Sequence, residues 1–394
     1  MKKLLFYDDS VGFGGHSITA IDALRYLLKD NNLVIGFIYY EGNTRLQENL
    51  LTLHQKSPHL SLYPIPYKTG KLSTIASPFL WSQHKVVRQI FDEVKPVSII
   101  FIQGSIEACS CALLVAKSAG YHTISFIPLT HSIAEMGGKL AFLRDRVNHY
   151  YYRLPDHFIV ISQSVQDRLL KYGVTDKSSL VYCGPDLAKL LLVNRQKVRS
   201  AYCIAEDDYV VGLIARIQFV HKAHDFLICA LSTYANRLEK IKFLIVGDGP
   251  DEAKLQEMIA FYNLEDIVKL VPWNNNMSEI YSALDMLIIP SRFEGLPLVM
   301  LEAMYYKLPI IASNVDGMAE ILPQDWLFNF GDCHALIETL LRVKSADNKV
   351  YLNKHELRIL QDFNVDEFGK HFHQVIYNHC NLDDYSRIEA KRVF

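Results

Sequence analysis

The chain has 394 residues, half of them apolar and 21% charged, with 41 Lys and Arg against 43 Asp and Glu. That is a globular composition, which excludes a disordered or fibrous chain, and a formal charge of −2 excludes a protein built chiefly to grip nucleic-acid phosphates. The charge is unevenly shared: residues 1–186 carry 19 Lys and Arg against 15 Asp and Glu, leaving 22 against 28 for the remainder.

Met1 to Phe6 starts like a leader peptide, but Asp8 and Asp9 end the apolar run, and no run reaches the roughly 18 residues of a membrane span. The expectation is a cytoplasmic protein, or one that rests on the inner face of a membrane without crossing it. Beyond that start, short runs rich in Val, Ile, Leu and Phe alternate with longer amphipathic stretches, the pattern of buried parallel strands and helices. Strands are expected at residues 4–7, 33–40, 97–102, 122–127, 157–161 and 180–183. The series then restarts, with strands at 209–215, 241–246, 268–271, 286–289, 310–313 and 327–330. Two such series predict two doubly wound α/β sheets, Rossmann-like domains facing across a cleft, with ligands at the carboxyl ends of the strands. Cys183-Gly184-Pro185-Asp186 has turn chemistry and places the boundary near 186. The expected domains are therefore 1–186 and 187–375, followed by a helix at 376–394 that caps the second domain or returns to the first. Seven scattered cysteines without a C-x-x-C pair read as small buried hydrophobes in a reducing compartment.

Chemistry concentrates in residues 288–303. A strand runs into Pro290 and Ser291, Gly295 allows a loop, and Pro297 opens a helix whose free N–H groups suit a diphosphate. Glu294 precedes that helix and Glu302 lies about one and a half turns inside it, so both carboxylates can reach one ligand. Arg216 and Lys222, on one strand-to-helix connection, supply two cations able to neutralise a leaving diphosphate. No Asp-x-Asp occurs, which removes the usual carboxylate pair for a divalent ion. In the first half, Gly12, Gly14 and Gly15 form a loop after the first strand; a dinucleotide-binding loop is its competitor, with Glu41 closing the second strand, although the third glycine of G-x-G-x-x-G is missing. His131 follows a strand and is expected at the cleft edge. Residues 139–153 are basic and aromatic at helical spacing, suiting either a helix packed on the sheet, the favoured reading, or a face on anionic lipid.

Glu294 to Glu302 resembles the Glu-x7-Glu signature of retaining GT-B glycosyltransferases, and the surroundings are similar to the fourth family of nucleotide-sugar glycosyltransferases. The resemblance is carried by Val211 to Arg216 with Lys222, Ile245 to Pro250, Val271 to Trp273, Met277 to Tyr281 with Asp285, Pro309 to Ser313 and Asp316 to Glu320. It implies a retaining, metal-independent transferase of hexosyl type in polysaccharide biosynthesis, moving a sugar from a nucleotide-diphosphate sugar to a hydroxyl of a glycan, lipid-linked saccharide or small molecule, with no cofactor. It implies catalytic roles for His131, Glu294, Arg216 and Lys222, and donor binding by Gly14, Gly15, Gly295, Leu296, Pro297, Leu298 and Glu302. In those roles Arg216 and Lys222 take the diphosphate, Glu294 the sugar hydroxyls and Glu302 the ribose. Ser132 stands where the family often has Asp, and Ala223 where a Gly often follows the Lys. A nucleotide-sugar epimerase or hydrolase of the same fold, a silent binding protein, and a NAD-dependent dehydrogenase are the competing readings.

Overall fold

The computed structural model describes residues 1–70, 72–202, 204–273 and 276–380. It divides into two compact units, Met1–Cys183 together with the segment from Val365 onward, and Gly184–Asn364.

Unit 1 holds seven strands, β1 (Lys2–Asp8), β2 (Leu33–Tyr40), β3 (Leu60–Ile65), β4 (Ser98–Ile102), β5 (Thr123–Phe126), β6 (His157–Val160) and β7 (Ser178–Leu180), in the order β3-β2-β1-β4-β5-β6-β7. All the pairings are parallel. Central strands are covered by helices on both faces, so they read as near-continuous apolar runs, as Ile99 to Ile102 of β4 do. β3 is an addition to the sequence reading. Its Ser61 and Pro64 interrupt the apolar signal, and they are tolerated because β3 is an edge strand, where a missing N–H leaves no ladder bond unmade. β7 is the other edge and lies earlier than the expected 180–183.

Unit 2 holds β8 (Tyr209–Ile214), β9 (Ile241–Val246), β10 (Val268–Val271), β11 (Met286–Ile289), β12 (Ile310–Ser313) and β13 (Leu327–Phe328), again all parallel, in the order β10-β9-β8-β11-β12-β13. Strand order reverses between β8 and β11, the place where doubly wound sheets bind their ligands.

The chain leaves unit 1 at Cys183 rather than 186, and it returns at Val365, not 376. The two passages touch: a Cβ on Gly184 would lie 2.2 Å from the carbonyl of Phe363, so only glycine fits there. The returning helix, Val365–His379, buries Phe368, Phe372 and Ile376. Phe372 packs on Phe6 and Phe126 with ring centroids 6.5 and 6.0 Å apart. It therefore completes the core of unit 1 well before residue 376, and residues 381–394 of the expected terminal helix lie outside the described ones. Cys109, Cys111, Cys183 and Cys380 are buried as expected, whereas Cys229 is exposed and Cys333 half-buried. Cys203 lies outside the described residues. No helix among the described residues is long and apolar enough to cross a membrane.

Candidate functional site

The site in unit 2 is built from the loops after β8 and β11. Arg216 lies two residues past β8 in a segment held by the glycine-rich turn after β9: the Ile217 N–H donates to the Asp248 carbonyl at 2.7 Å. A Cβ on Gly247 would lie 2.0 Å from the Ala215 carbonyl oxygen, and one on Gly249 2.2 Å from that of Ile217. These two glycines thus let one loop lie directly on the other and set the path of the Arg216 backbone. Arg216 itself is exposed and has no ion-pair partner among the described residues. The Phe219–Lys222 turn follows, its first N–H donating to the Asp251 carboxylate at 2.8 Å.

Lys222 ends that turn and forms an ion pair with Glu294 Oε1. Glu294 is 9% exposed, so its carboxylate depends on this partner far more than a surface group would. The Glu294 N–H donates to Asp316 Oδ2 at 3.0 Å, and the Gly317 N–H donates to the Gly295 carbonyl at 3.1 Å. Asp316 and Gly317 open the helix after β12, so the Glu294–Gly295 loop is pinned from the neighbouring strand. A Cβ on Gly317 would lie 2.1 Å from the Gly295 oxygen, which makes glycine obligatory for that approach. On its other side the Arg292 N–H donates to the His221 carbonyl at 2.9 Å, and the Arg292 guanidinium pairs with Asp225 at 3.3 Å.

Gly295 and the buried Leu296 lead to Pro297, which caps the Leu298–Tyr305 helix and is not its first residue. The Pro297 carbonyl accepts from the Met300 N–H at 3.0 Å, and the Leu298 and Val299 N–H groups, at the first turn, have no carbonyl within the helix to donate to. Glu302 is half-buried in the helix, its Oε2 accepting from the Tyr281 hydroxyl. Burial pushes its carboxyl up to about 7, with the Tyr281 hydrogen bond acting in the opposite direction. Lys222, Glu294, Gly295, Leu296, Pro297, Leu298 and Glu302 thus belong to one construction at the β8–β11 reversal, and the Arg216 loop rises from the same β8 edge.

Gly14, Gly15 and His131 belong to unit 1. Gly14 is the extended cap of the Gly15–Leu27 helix directly after β1, and a Cβ on Gly15 would meet nothing within 4 Å. Beneath that loop two carboxylates anchor β1. Asp8 accepts from the Ser10 N–H at 2.9 Å, and Asp9 accepts from the Thr69 hydroxyl and, at 3.1 Å, from the Cys109 N–H. Burial raises the Asp9 carboxyl to about 6. His131 follows β5 and is 7% exposed. Tyr281 and Asp316, which hold Glu302 and the Glu294 loop, were not given roles in the sequence reading. Asp316-Gly317 after a strand was a readable turn signal, whereas a tyrosine on a short helix is indistinguishable from ordinary core until its partner is seen.

In the basic aromatic stretch, the Ala141–Tyr151 helix packs one face inward, with Tyr151 and Tyr152 buried and Arg144 paired to Glu107 at 2.6 Å. Its other face lines an open groove of about 780 Å³ that includes Phe142, Arg146, Tyr150 and Arg153, and Phe142 is 85% exposed.

The family model for glycosyl transferases group 1 matches residues 208–345, and that for glycosyltransferase family 4 matches residues 13–189. An uncharacterized glycosyltransferase of Haemophilus influenzae is 23% identical over 327 residues, 80% of this chain and 81% of that protein. The amylovoran biosynthesis glycosyltransferase AmsD of Erwinia amylovora is 44% identical over 197 residues, and the matched region spans 43% of this chain and 53% of AmsD. Among solved structures, Anabaena HepE in complex with UDP and glucose superposes with a TM-score of 0.77 at 18% identity, covering 96% of this chain and all of that one. Sucrose-phosphate synthase from Thermosynechococcus elongatus gives 0.76 at 17% identity, covering 96% and 99%. At such identities the likeness is one of fold.

Proposed function

Because the chain belongs to the GT-B glycosyltransferases, we propose that it moves a hexose from a uridine diphosphate sugar to a hydroxyl of a growing surface polysaccharide, with retention and without a metal. The observation that carries this is the Lys222–Glu294 pair at the β8–β11 reversal, beside the uncapped first turn of the Leu298–Tyr305 helix. AmsD, named for amylovoran biosynthesis, supports the acceptor class, and HepE, solved with UDP and with UDP-glucose, supports the donor.

In this reading the donor diphosphate meets Arg216, Lys222 and the N–H groups of Leu298 and Val299, which stabilise the charge that develops as it leaves. Lys222 is then shared between phosphate and Glu294, and Glu294 turns to the sugar hydroxyls. The bond from the anomeric carbon to the phosphate oxygen breaks with its electron pair going to the diphosphate. The acceptor oxygen bonds to that carbon on the same face, and its proton passes to the departing phosphate oxygen. The protein contributes position and electrostatics. Glu302 receives the ribose hydroxyls. His131 is assigned to the donor sugar, and Gly14 and Gly15 to phosphate and acceptor, by family resemblance.

Incubation with UDP-, GDP- and ADP-sugars and a polysaccharide-repeat acceptor tests the reading, with the product anomer read by NMR. Transfer that persists in EDTA and gives the donor's anomer is expected; an inverted product overturns retention, and a loss restored by divalent ions overturns metal independence. Arg216→Ala, Lys222→Ala and Glu294→Ala should each reduce kcat by about 10² to 10³. Near-wild-type turnover in all three removes the assigned site.

The exposed Phe142 among Arg146 and Arg153 favours a place of work as well: the outer face of the Ala141–Tyr151 helix rests on anionic lipid, arginines toward headgroups and Phe142 in the interface. Sedimentation with phosphatidylglycerol vesicles at low salt should be lost in Phe142→Asp; absence of wild-type binding overturns it.

A further inference from the structure

Glu302 rests on Tyr281, which closes the Met277 to Tyr281 match but is given no role by the family resemblance. Tyr281, in the Met277–Ala283 helix, is 1% exposed, and its hydroxyl donates to Glu302 Oε2, with the Val299 carbonyl a longer acceptor at 3.4 Å. The ring cannot swing away. It stacks on Tyr306 with centroids 5.1 Å and planes 18° apart, and the Tyr306 hydroxyl donates to the Leu191 carbonyl at 2.9 Å. The other carboxylate oxygen, Oε1, has no hydrogen-bond partner among the described residues. One oxygen is therefore held and one is available.

We propose that Tyr281 is the positioning residue for Glu302, fixing one carboxylate oxygen so that the other accepts from the vicinal hydroxyls of the donor's ribose. The inference rests on the ribose role read for Glu302 above. It also explains why a neutral donor does the holding. Glu302 forms no ion pair among the described residues, and its carboxyl answers only to burial and the Tyr281 hydroxyl; Arg195 and Arg199 pair with Asp285, and Lys307 pairs with Glu356 of the Lys349–Gln361 helix. The β11 and β12 strands behind Glu302 carry no titratable side chain, and Tyr306 is the remaining titratable group that interacts with it. A cation in place of Tyr281 would hold the carboxylate as an ion pair and compete with the ligand. A buried hydroxyl orients it and leaves its acceptor capacity free.

Burial sets the Glu302 carboxyl near 7 and the Tyr281 hydroxyl restrains that rise. Removing the hydroxyl should move the titration upward, so ribose binding would weaken at a higher pH as the solution is acidified. The test measures Kd for UDP and 2′-deoxy-UDP between pH 5.5 and 8.5 with the full chain, Tyr281→Phe and Glu302→Gln; GDP and ADP with their deoxy forms replace UDP if either binds more tightly. Wild type should prefer the ribonucleotide, and Glu302→Gln should abolish the preference. Tyr281→Phe should weaken UDP about three- to tenfold, leave deoxy-UDP unchanged and shift the acid limb upward. In turnover, KM for the donor should rise with kcat nearly constant. If Glu302→Gln removes the preference while Tyr281→Phe keeps the wild-type ratio and pH profile, the positioning role is overturned and the ribose reading stands. Equal weakening of both nucleotides by Tyr281→Phe makes its role structural and overturns the proposal likewise. If Glu302→Gln retains the wild-type preference, the ribose reading falls and this inference with it.

Discussion

At the scale of single residues, the unit 2 site keeps charged groups in surroundings that disfavour charge. Glu302 has a carboxyl raised from the usual range to about 7 by burial. Because the folded value lies above the unfolded one, wild-type stability relative to a neutral side chain is greatest below about pH 4.5 and is lost as pH rises through 7. Glu302→Gln should therefore raise Tm at pH 8 and change it little at pH 4.5, while weakening nucleotide binding; an equal shift at both pH values would contradict the buried-charge account. The Lys222–Glu294 pair makes a complementary prediction. Lys222→Met leaves an almost fully buried carboxylate without its cation and should cost about 1 to 3 kcal/mol in urea unfolding. Adding Glu294→Gln should recover most of that stability without restoring turnover. Glu294 and Glu302 were legible as site candidates because a strand, a glycine and a proline framed them, and Arg216 and Lys222 through the family resemblance. Tyr281 was not, since its importance lies in a partner 21 residues away and on a different helix.

At the scale of elements, glycines decide how loops meet. Gly317 lets the loop bearing Glu294 reach the helix after β12, and Gly247 and Gly249 let the turn after β9 lie against the Arg216 segment. Gly317→Ala must displace backbone, not a flexible side-chain end. On the role proposed for Glu294 it should lower kcat at least about tenfold, with an unchanged circular dichroism spectrum. Full activity would show that the loop relaxes without consequence. The strands show the same division between local and tertiary causes. β2, β9, β10, β11 and β12 have the bounds expected from their apolar runs. β3 was missed and β7 displaced because edge strands are half-exposed and need not be uniformly apolar.

At the scale of the whole molecule, the chain crosses between the units twice, and the second crossing makes the Val365–His379 helix part of the first unit's core. The Val365–His379 helix lays Phe368 and Phe372 on Phe126, and Gly369 sits against the Tyr26 ring, where a Cβ would come within 2.4 Å. Phe372→Ala should destabilise unit 1 by about 3 to 5 kcal/mol in chemical unfolding, and a chain ending at 364 should expose that apolar face and bind a hydrophobic dye. A truncated chain as soluble and as stable as the full one would refute this. The sequence by itself determined two doubly wound α/β units and brought forward the candidate residues of the unit 2 site, because buried parallel strands and strand-to-helix loops are written in local composition and spacing. Only the tertiary structure decided where the Val365–His379 helix docks, which strands are edges, that Lys222 is engaged by Glu294, and that Tyr281 holds Glu302. Each of those is a contact between distant positions, and its energy comes from burial and pairing that exist only once the chain has folded.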